Sequence, residues 1–413
     1  MYTRLLAVGC AVGLIVGVSA GCADGAARSH APGSAVADLD PAAQLDSLAT
    51  RMSGYLADLP LDAERIPRSL DPGGELVALP AAAWTSGFFP GVLWQLYAAT
   101  GRAPLDEAAA AWTEFVGPQA RDSSTHDLGF QLYCSYGEAY EATGEEAYAR
   151  TLLTAAATLA TRYDERVGAI RSWDWNAEEW AYPVIVDNLM NLELLFEATR
   201  LGGDSAYHRL ADRHAATTLA HHFRDDASSV HVVDYDPATG EVRGRVTHQG
   251  DADSSAWARG QAWGLYGYAM AYRYTRRPEY LAQARRIAEF FFTHPRMPAD
   301  GVPYWDFDAP LPVGGGAIPR DASAAAVAVA GLLELCGYVD DDAERARYTA
   351  WAEHSLATLA SDAYRSDVAP FLLDHSTGNL PAGKEIDVPI VYADYYYVEA
   401  LRRLAGDDLA GQR

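Results

Sequence analysis

The stretch VIVDNLMNLELLFEATRLGG (184–203) decides the architecture. It passes from an apolar run, 184–186, through a single acid, Asp187, into a helical pattern. There Leu189, Met190, Leu192, Leu194, Leu195 and Phe196 leave little of the circumference polar. A helix that is apolar on most sides must be buried on several sides, so it lies inside a layer rather than on a surface. By contrast, 279–292 places Leu281, Ala284, Ala288 and Phe291 on one stripe, opposite Gln283, Arg285, Arg286 and Glu289. That is an outer helix with one wet face.

Working outward, the opening of an apolar helix just after a polar or charged residue recurs six times. The openings read WTSGFFPG (84–91), HDLGF (126–130), VDNLMNL (186–192), ARGQAWG (258–264), RDASAAAV (320–327) and YADYYYVEAL (392–401). The first four helices end in related turns, such as ATG at 99–101 and 142–144, and amphipathic segments follow most of them. Such recurrence points to stacked helix pairs. Six pairs predict an all-α double ring, although a two-layer open solenoid would share the signature. In a closed ring, Asp127, Asp187, Arg259, Asp321 and Asp394 would crowd around one pocket at the rim where inner helices begin. Strand signals are weak; the best, at 230–246, reads as a small β-hairpin around Pro-Ala-Thr-Gly, beside the pocket. The Pro- and Gly-rich stretch 295–316, with Tyr304 and Trp305, is expected as a rim loop.

Asp is a favoured helix N-cap, and capping alone accounts for Asp321 and Asp394. Asp127 and Asp187 have different company. Asp127 follows His126, and Asp187 emerges from an apolar wall. Desolvation and a neighbouring carboxylate should raise such a carboxyl's pKa, as general acid catalysis requires near neutral pH. Arg259 could clamp a substrate carboxylate with its planar fork, bracketed by Trp257 and Trp263. Trp84, Trp173 and Trp175 add an aromatic rim suited to sugar rings, although aromatic core and interface patches look alike. His248, Asp251 and Asp253 lack a full calcium-loop pattern, and no serine-hydrolase elbow or zinc-hydrolase pair is present. No metal or cofactor is expected.

The net charge of −24 argues against nucleic acid as a partner. At the N-terminus, Arg4 precedes an apolar stretch at 5–18, then Ser19, Ala20, Gly21 and Cys22. Residues 1–22 read as a secretory signal of lipoprotein type, with Cys22 as a lipid anchor to a bacterial cell envelope. Ordinary cleavage and secretion is the alternative. Residues 23–42 read as a flexible tether, and 43–408 as one domain. Cys134 and Cys336 fit buried free thiols, with one disulfide left open.

The strings WTSGFFPGVLW, HDLGF, VIVDNLMNLELLFEA, THQG…SSAWARGQAWGLYG and IDVPIVYADYYYVEALRR together resemble glycoside hydrolase family 88, the unsaturated glucuronyl hydrolases. The resemblance runs from about residue 45 to 405. It implies an (α/α)6 barrel that removes a 4,5-unsaturated uronic acid from the non-reducing end of lyase-generated oligosaccharides. It implies Asp187 as general acid and base and Asp127 as the second essential aspartate. Trp84, His126, Trp173, His231, His248, Gln249, Trp257, Arg259 and Trp263 are implied to surround the sugar. The segment 375–389 departs from the commoner family loop, and Lys384 stands as a substitute for its basic residues. Two rival expectations share these residues: an unsaturated rhamnogalacturonyl hydrolase of family 105, and a glycan-binding lipoprotein without activity.

Overall fold

The computed structural model describes residues 39–312 and 315–407. Six helices form an inner ring: α2 (Phe88–Thr100), a π-helical run Gly129–Gly137 that continues as α4 (Glu138–Thr143), α6 (Asn188–Arg200), α8 (Ala258–Thr275), α10 (Ala322–Cys336) and α12 (Val391–Leu404). Each packs against the next, and α12 returns to α2, so the ring is closed. Around it stand α3 (Leu105–Val116), α5 (Glu146–Ala160), α7 (Ser205–His221), α9 (Pro278–Thr293), α11 (Asp342–Leu359) and α1 (Pro41–Leu56). The expected burial contrast holds: α8 is buried along almost its whole length, whereas α9 keeps exposed positions.

The sixth pair differs from the sequence expectation. Nothing helical follows α12 among the described residues; α1, from the other end of the chain, packs on both α12 and α2. Closure is thus made by joining the two ends of the domain. Helix α1 begins at Pro41, capped by Asp40, within the span expected as tether. The signal, Cys22 and the tether up to residue 38 lie outside the described residues.

The two ends of the barrel are built differently. Inner helices pass to outer ones through short turns, at 101–104, 144–145, 201–204, 276–277 and 337–341. At 101 and 144 the turn needs a left-handed residue, and glycine supplies it with φ of 62° and 69°. Outer helices return to inner ones through long connections that carry all the strands: β1 (Ile66–Leu70) with β2 (Leu76–Leu79), β3 (Tyr163–Asp164) with β4 (Ala169–Ile170), β5 (Pro183–Ile185), β6 (Val232–Tyr235) and β7 (Val242–Val246), and β8 (Ser376–Asn379) with β9 (Lys384–Val388). The expected hairpin is β6–β7, and β5 adds a third antiparallel strand to it.

Glycines of the repeated openings serve packing. A Cβ on Gly87 would lie 2.2 Å from the Phe130 and Gln131 carbonyls, and one on Gly129 would lie 2.5 Å from the Asn191 Cα. Only glycine lets neighbouring inner helices approach this closely.

Candidate active site

A cleft of about 280 Å³ opens where the inner helices begin. Most of its lining is delivered by the long connections, and Phe130, Arg259 and Tyr392 come from the first turns of inner helices. Asp187 enters from β5, whose pairing with β6 fixes the chain just before the acid; Val186 N–H also donates to the His231 carbonyl at 3.0 Å. Asp187 then occupies the N-cap position of α6, yet its side chain makes no capping hydrogen bond. Asp321, at the same position of α10, accepts from Ser323 and Ala324 N–H. Capping therefore explains Asp321 and does not explain Asp187.

The Asp187 carboxyl is 8 % exposed and its pKa is raised to about 7. Desolvation is the largest cause and the Asp127 charge adds to it, while Arg259, the residue's own N–H and the nearby Trp263 indole pull the other way. Asp127 faces the same cleft. It accepts from Asn191 Nδ2 at 3.4 Å and Thr125 Oγ1 at 3.3 Å, and His126 Nε2 lies 3.3 Å away. Asn191 is one turn below Asp187 on the same face of α6, and its Oδ1 accepts from Phe130 N–H at 2.9 Å. One helix thus orients both carboxylates. Asn191 escaped the sequence reading, although its i+4 spacing from Asp187 was visible.

Trp84, His126, Asp127, Trp173, Asp187, His248, Gln249 and Arg259 line the cleft. Trp84 stacks on Tyr392 at 5.3 Å, with the Arg68 guanidinium 5.5 Å from its ring. Arg68 is held by Glu385 through bonds of 2.6 and 2.8 Å. Glu385 takes a left-handed φ of 52° on β9, and a Cβ at Gly378 would meet its Oε2 at 2.5 Å. Arg68, Glu385 and Tyr392 were not singled out; an arginine in the otherwise apolar-flanked strand 66–70 was the available signal. Lys384 also lines the cleft, exposed on the same hairpin.

Three other expected contacts stand behind the cleft wall. Trp257 and Trp263 are buried and line no part of it. His231 is buried beneath Asp187, with Nε2 at 3.8 Å from Oδ1. Two backbone N–H groups, of His248 and Gln249, converge on its Nδ1 at 3.1 Å each. Nδ1 must then be the acceptor, which leaves the ring proton on Nε2, turned towards Asp187. Burial, with His248 and Arg259 nearby, holds the His231 pKa well below its usual range, so the ring stays neutral.

Arg259 needs a larger correction. Its Nη1 donates to Asp321 Oδ2 and the Thr377 carbonyl, both at 2.7 Å, and Nη2 donates to the Gly378 carbonyl. The guanidinium lies 4.5 Å from the Trp257 ring and 5.3 Å from that of Tyr392. A buried cation must be paired and hydrogen-bonded, and the β8 carbonyls and Asp321 meet that need. Both terminal nitrogens are engaged by the protein, so the free bidentate fork expected from sequence is not presented; what reaches the cleft is a positive wall. Asp394 is corrected too. It lies inside the first turn of α12, away from the cleft, and accepts from Leu373 N–H. The 295–312 part of the expected rim loop buttresses α8 instead, with Ala258 N–H donating to the buried Trp305. Cys134 and Cys336 are free.

The glycosyl hydrolase family 88 model matches residues 69–404. An unsaturated glucuronyl hydrolase of Formosa agariphila is 47% identical over 365 residues, covering 87% of this chain and 89% of that protein. An unsaturated chondroitin disaccharide hydrolase of Streptococcus pyogenes is 36% identical, covering 78% and 82%. Among solved structures, an unsaturated glucuronyl hydrolase specific for heparin superposes with a TM-score of 0.83 at 44% identity, covering 88% of this chain and 96% of that one.

Proposed function

The chain belongs to glycosyl hydrolase family 88, and on that premise we propose how its cleft works. The protein is a glycoside hydrolase that removes an unsaturated uronic acid from oligosaccharides. The family match sets aside the family 105 reading. We infer that Asp187, protonated near neutral pH, gives its proton to C4 of the C4=C5 enol ether. Water then adds its oxygen at C5 and returns a proton to Asp187. The resulting hemiketal opens, releasing the remaining saccharide and an open-chain keto acid. Because the attacked bond is an alkene, the carboxylate-separation rule for ordinary glycosidases does not govern the outcome.

Asp127 holds ring hydroxyls, and its charge helps keep Asp187 protonated. His231 is a positioning residue: its neutral Nε2–H faces Oδ1 of Asp187 and leaves the other oxygen to carry the proton. Trp84 offers its ring to the sugar face. Arg259 and Lys384 attract the uronate carboxylate, the first by its field and the second directly. The observation that carries this reading is the buried, uncapped Asp187 with its pKa near neutrality, in one cleft with Asp127.

Loss of the conjugated-alkene ultraviolet absorbance across lyase products of glycosaminoglycan, pectin and ulvan tests the reading. Heparin-lyase products come first, since a similar structure is that of a heparin-specific enzyme. Decay on at least one glucuronyl product is expected; binding without decay on every product would support the inactive glycan binder instead. We further propose export and anchoring through Cys22, on the strength of the 1–22 pattern. No helix of the described residues is long and apolar enough to cross a membrane. Cys22→Ala should move the protein from the membrane to the soluble fraction, and an unchanged distribution would refute the anchor.

A further inference from the structure

Trp175 is 48 % exposed, one of the few large apolar side chains open to solvent among the described residues. It does not sit on an outer helix face: it lines the mouth of the cleft beside Trp173. The two indoles stack at 4.8 Å and 17°. Trp180 braces Trp173 edge-on at 5.9 Å, and the His248 ring lies 5.3 Å from Trp175. Trp175 is therefore held by aromatic partners yet keeps a large surface in water, at a place continuous with the cleft. Exposed aromatic surface of this kind is a contact surface for a partner with an apolar face, and a sugar ring presents one through its C–H groups.

The charges around it narrow the partner. The cations of the cleft, Arg68, Arg259 and Lys384, come from β1, α8 and β9. The tryptophan loop instead carries Glu178 and Glu179, both exposed. The Glu179 charge reaches the His248 ring, which burial keeps below its usual pKa. A sulfated or carboxylated ring over Trp175 would meet like charge; an uncharged ring would not.

We propose that Trp175, backed by Trp173, is a platform for a sugar further along the departing saccharide, beyond the residue bonded to the unsaturated uronate, and that this sugar is uncharged and unsulfated. The inference rests on the reading of the cleft as the site of the terminal uronate. It assigns the enzyme a preference for chain length as well as for the end group.

The test compares kcat/KM on an unsaturated glucuronyl-glucosyl-rhamnosyl-glucose tetrasaccharide with that on the matching unsaturated glucuronyl-glucose disaccharide. Wild type should prefer the tetrasaccharide, and Trp175→Ala should cut the ratio by about five- to tenfold, as expected for loss of one stacking face. Trp175→Tyr should restore most of it. A ratio that Trp175→Ala leaves unaltered, whether both substrates suffer equally or neither does, overturns the platform. For the charge assignment, wild type should discriminate against a tetrasaccharide sulfated on its third sugar, and Glu179→Gln should relax that discrimination; unrelaxed discrimination refutes it. If wild type fails on the disaccharide and the tetrasaccharide alike, the platform is overturned, and the reading of the cleft falls with it only when every product of the glycosaminoglycan, pectin and ulvan panel is also left intact.

Discussion

The two ends of the barrel both pair buried arginines with acids, Arg259 with Asp321 at the mouth and Arg273 with Glu334 at the opposite end, but the mouth also holds Asp187, a buried acid bonded to no arginine among the described residues. Towards the end with the short turns, Arg273 bonds Glu193 and Glu334 at 2.8 Å each, and Arg403 bonds Glu399 at 2.8 Å and Glu334 at 3.1 Å. Tyr266 donates to Glu399. Acids from α6, α10 and α12 are thus matched by arginines from α8 and α12, and the inner helices are locked together. At the mouth, Oδ1 of Asp187 and Nε2 of His231 are buried 3.8 Å apart, and neither makes a hydrogen bond among the described residues. Of the two, Asp187 lines the cleft and His231 stands behind its wall. On the proposed mechanism, the contrast separates acids that hold the fold from an acid kept for chemistry.

The sharpest way to break this contrast is Asp187→Asn. Turnover should fall by about a thousandfold or more, at the upper part of the range for losing a general acid, while the fold and disaccharide binding persist. Ultraviolet progress curves and isothermal titration would check the two halves. The same variant should affect stability in the opposite sense. Asp187 titrates near 7 when folded, against an ordinary 3.8, so between those values the folded state binds more protons than the unfolded one. Its contribution is favourable at low pH and is lost as pH rises towards 7, by up to a few kcal/mol. Asp187→Asn should therefore melt above wild type at pH 8 and lose that advantage at pH 4; thermal unfolding at both values decides it.

At the end with the short turns the sign reverses. Arg273→Ala removes the arginine shared by Glu193 and Glu334, and breaking a buried network costs about 3–5 kcal/mol. Denaturant unfolding should show that loss at every pH, with kcat of the remaining folded enzyme little changed. A smaller effect is expected for His231→Phe. Without the neutral N–H facing Asp187, the alkaline limb of kcat should move up by about one pH unit. His231→Gln, which can still donate, should move it less. The smallest effect belongs to the rim: Lys384→Ala should raise KM about two- to threefold and weaken its dependence on salt.

The sequence made the inner ring legible because burial on all sides leaves a mark that one-sided burial does not, as 184–203 shows against 279–292. It also marked Asp127 and Asp187, because an acid at the mouth of an apolar helix is conspicuous. It could not reveal that α1 supplies the sixth outer helix, since that pairing joins residues at opposite ends of the domain. Nor could it show that Arg259 spends its terminal nitrogens on Asp321 and on carbonyls of β8. A motif names the residue type near the site, but only the surrounding chain decides whether its donors point outward or are already taken. The same limit separates Trp84, on the cleft, from Trp263, behind it.

The protonation of Asp187 can be read directly from its carboxyl stretch in the infrared difference between wild type and Asp187→Asn, followed from pH 4 to 9. The account predicts that the protonated band persists to a midpoint close to 7, in step with the alkaline loss of kcat. A midpoint near the ordinary value for aspartate would contradict it.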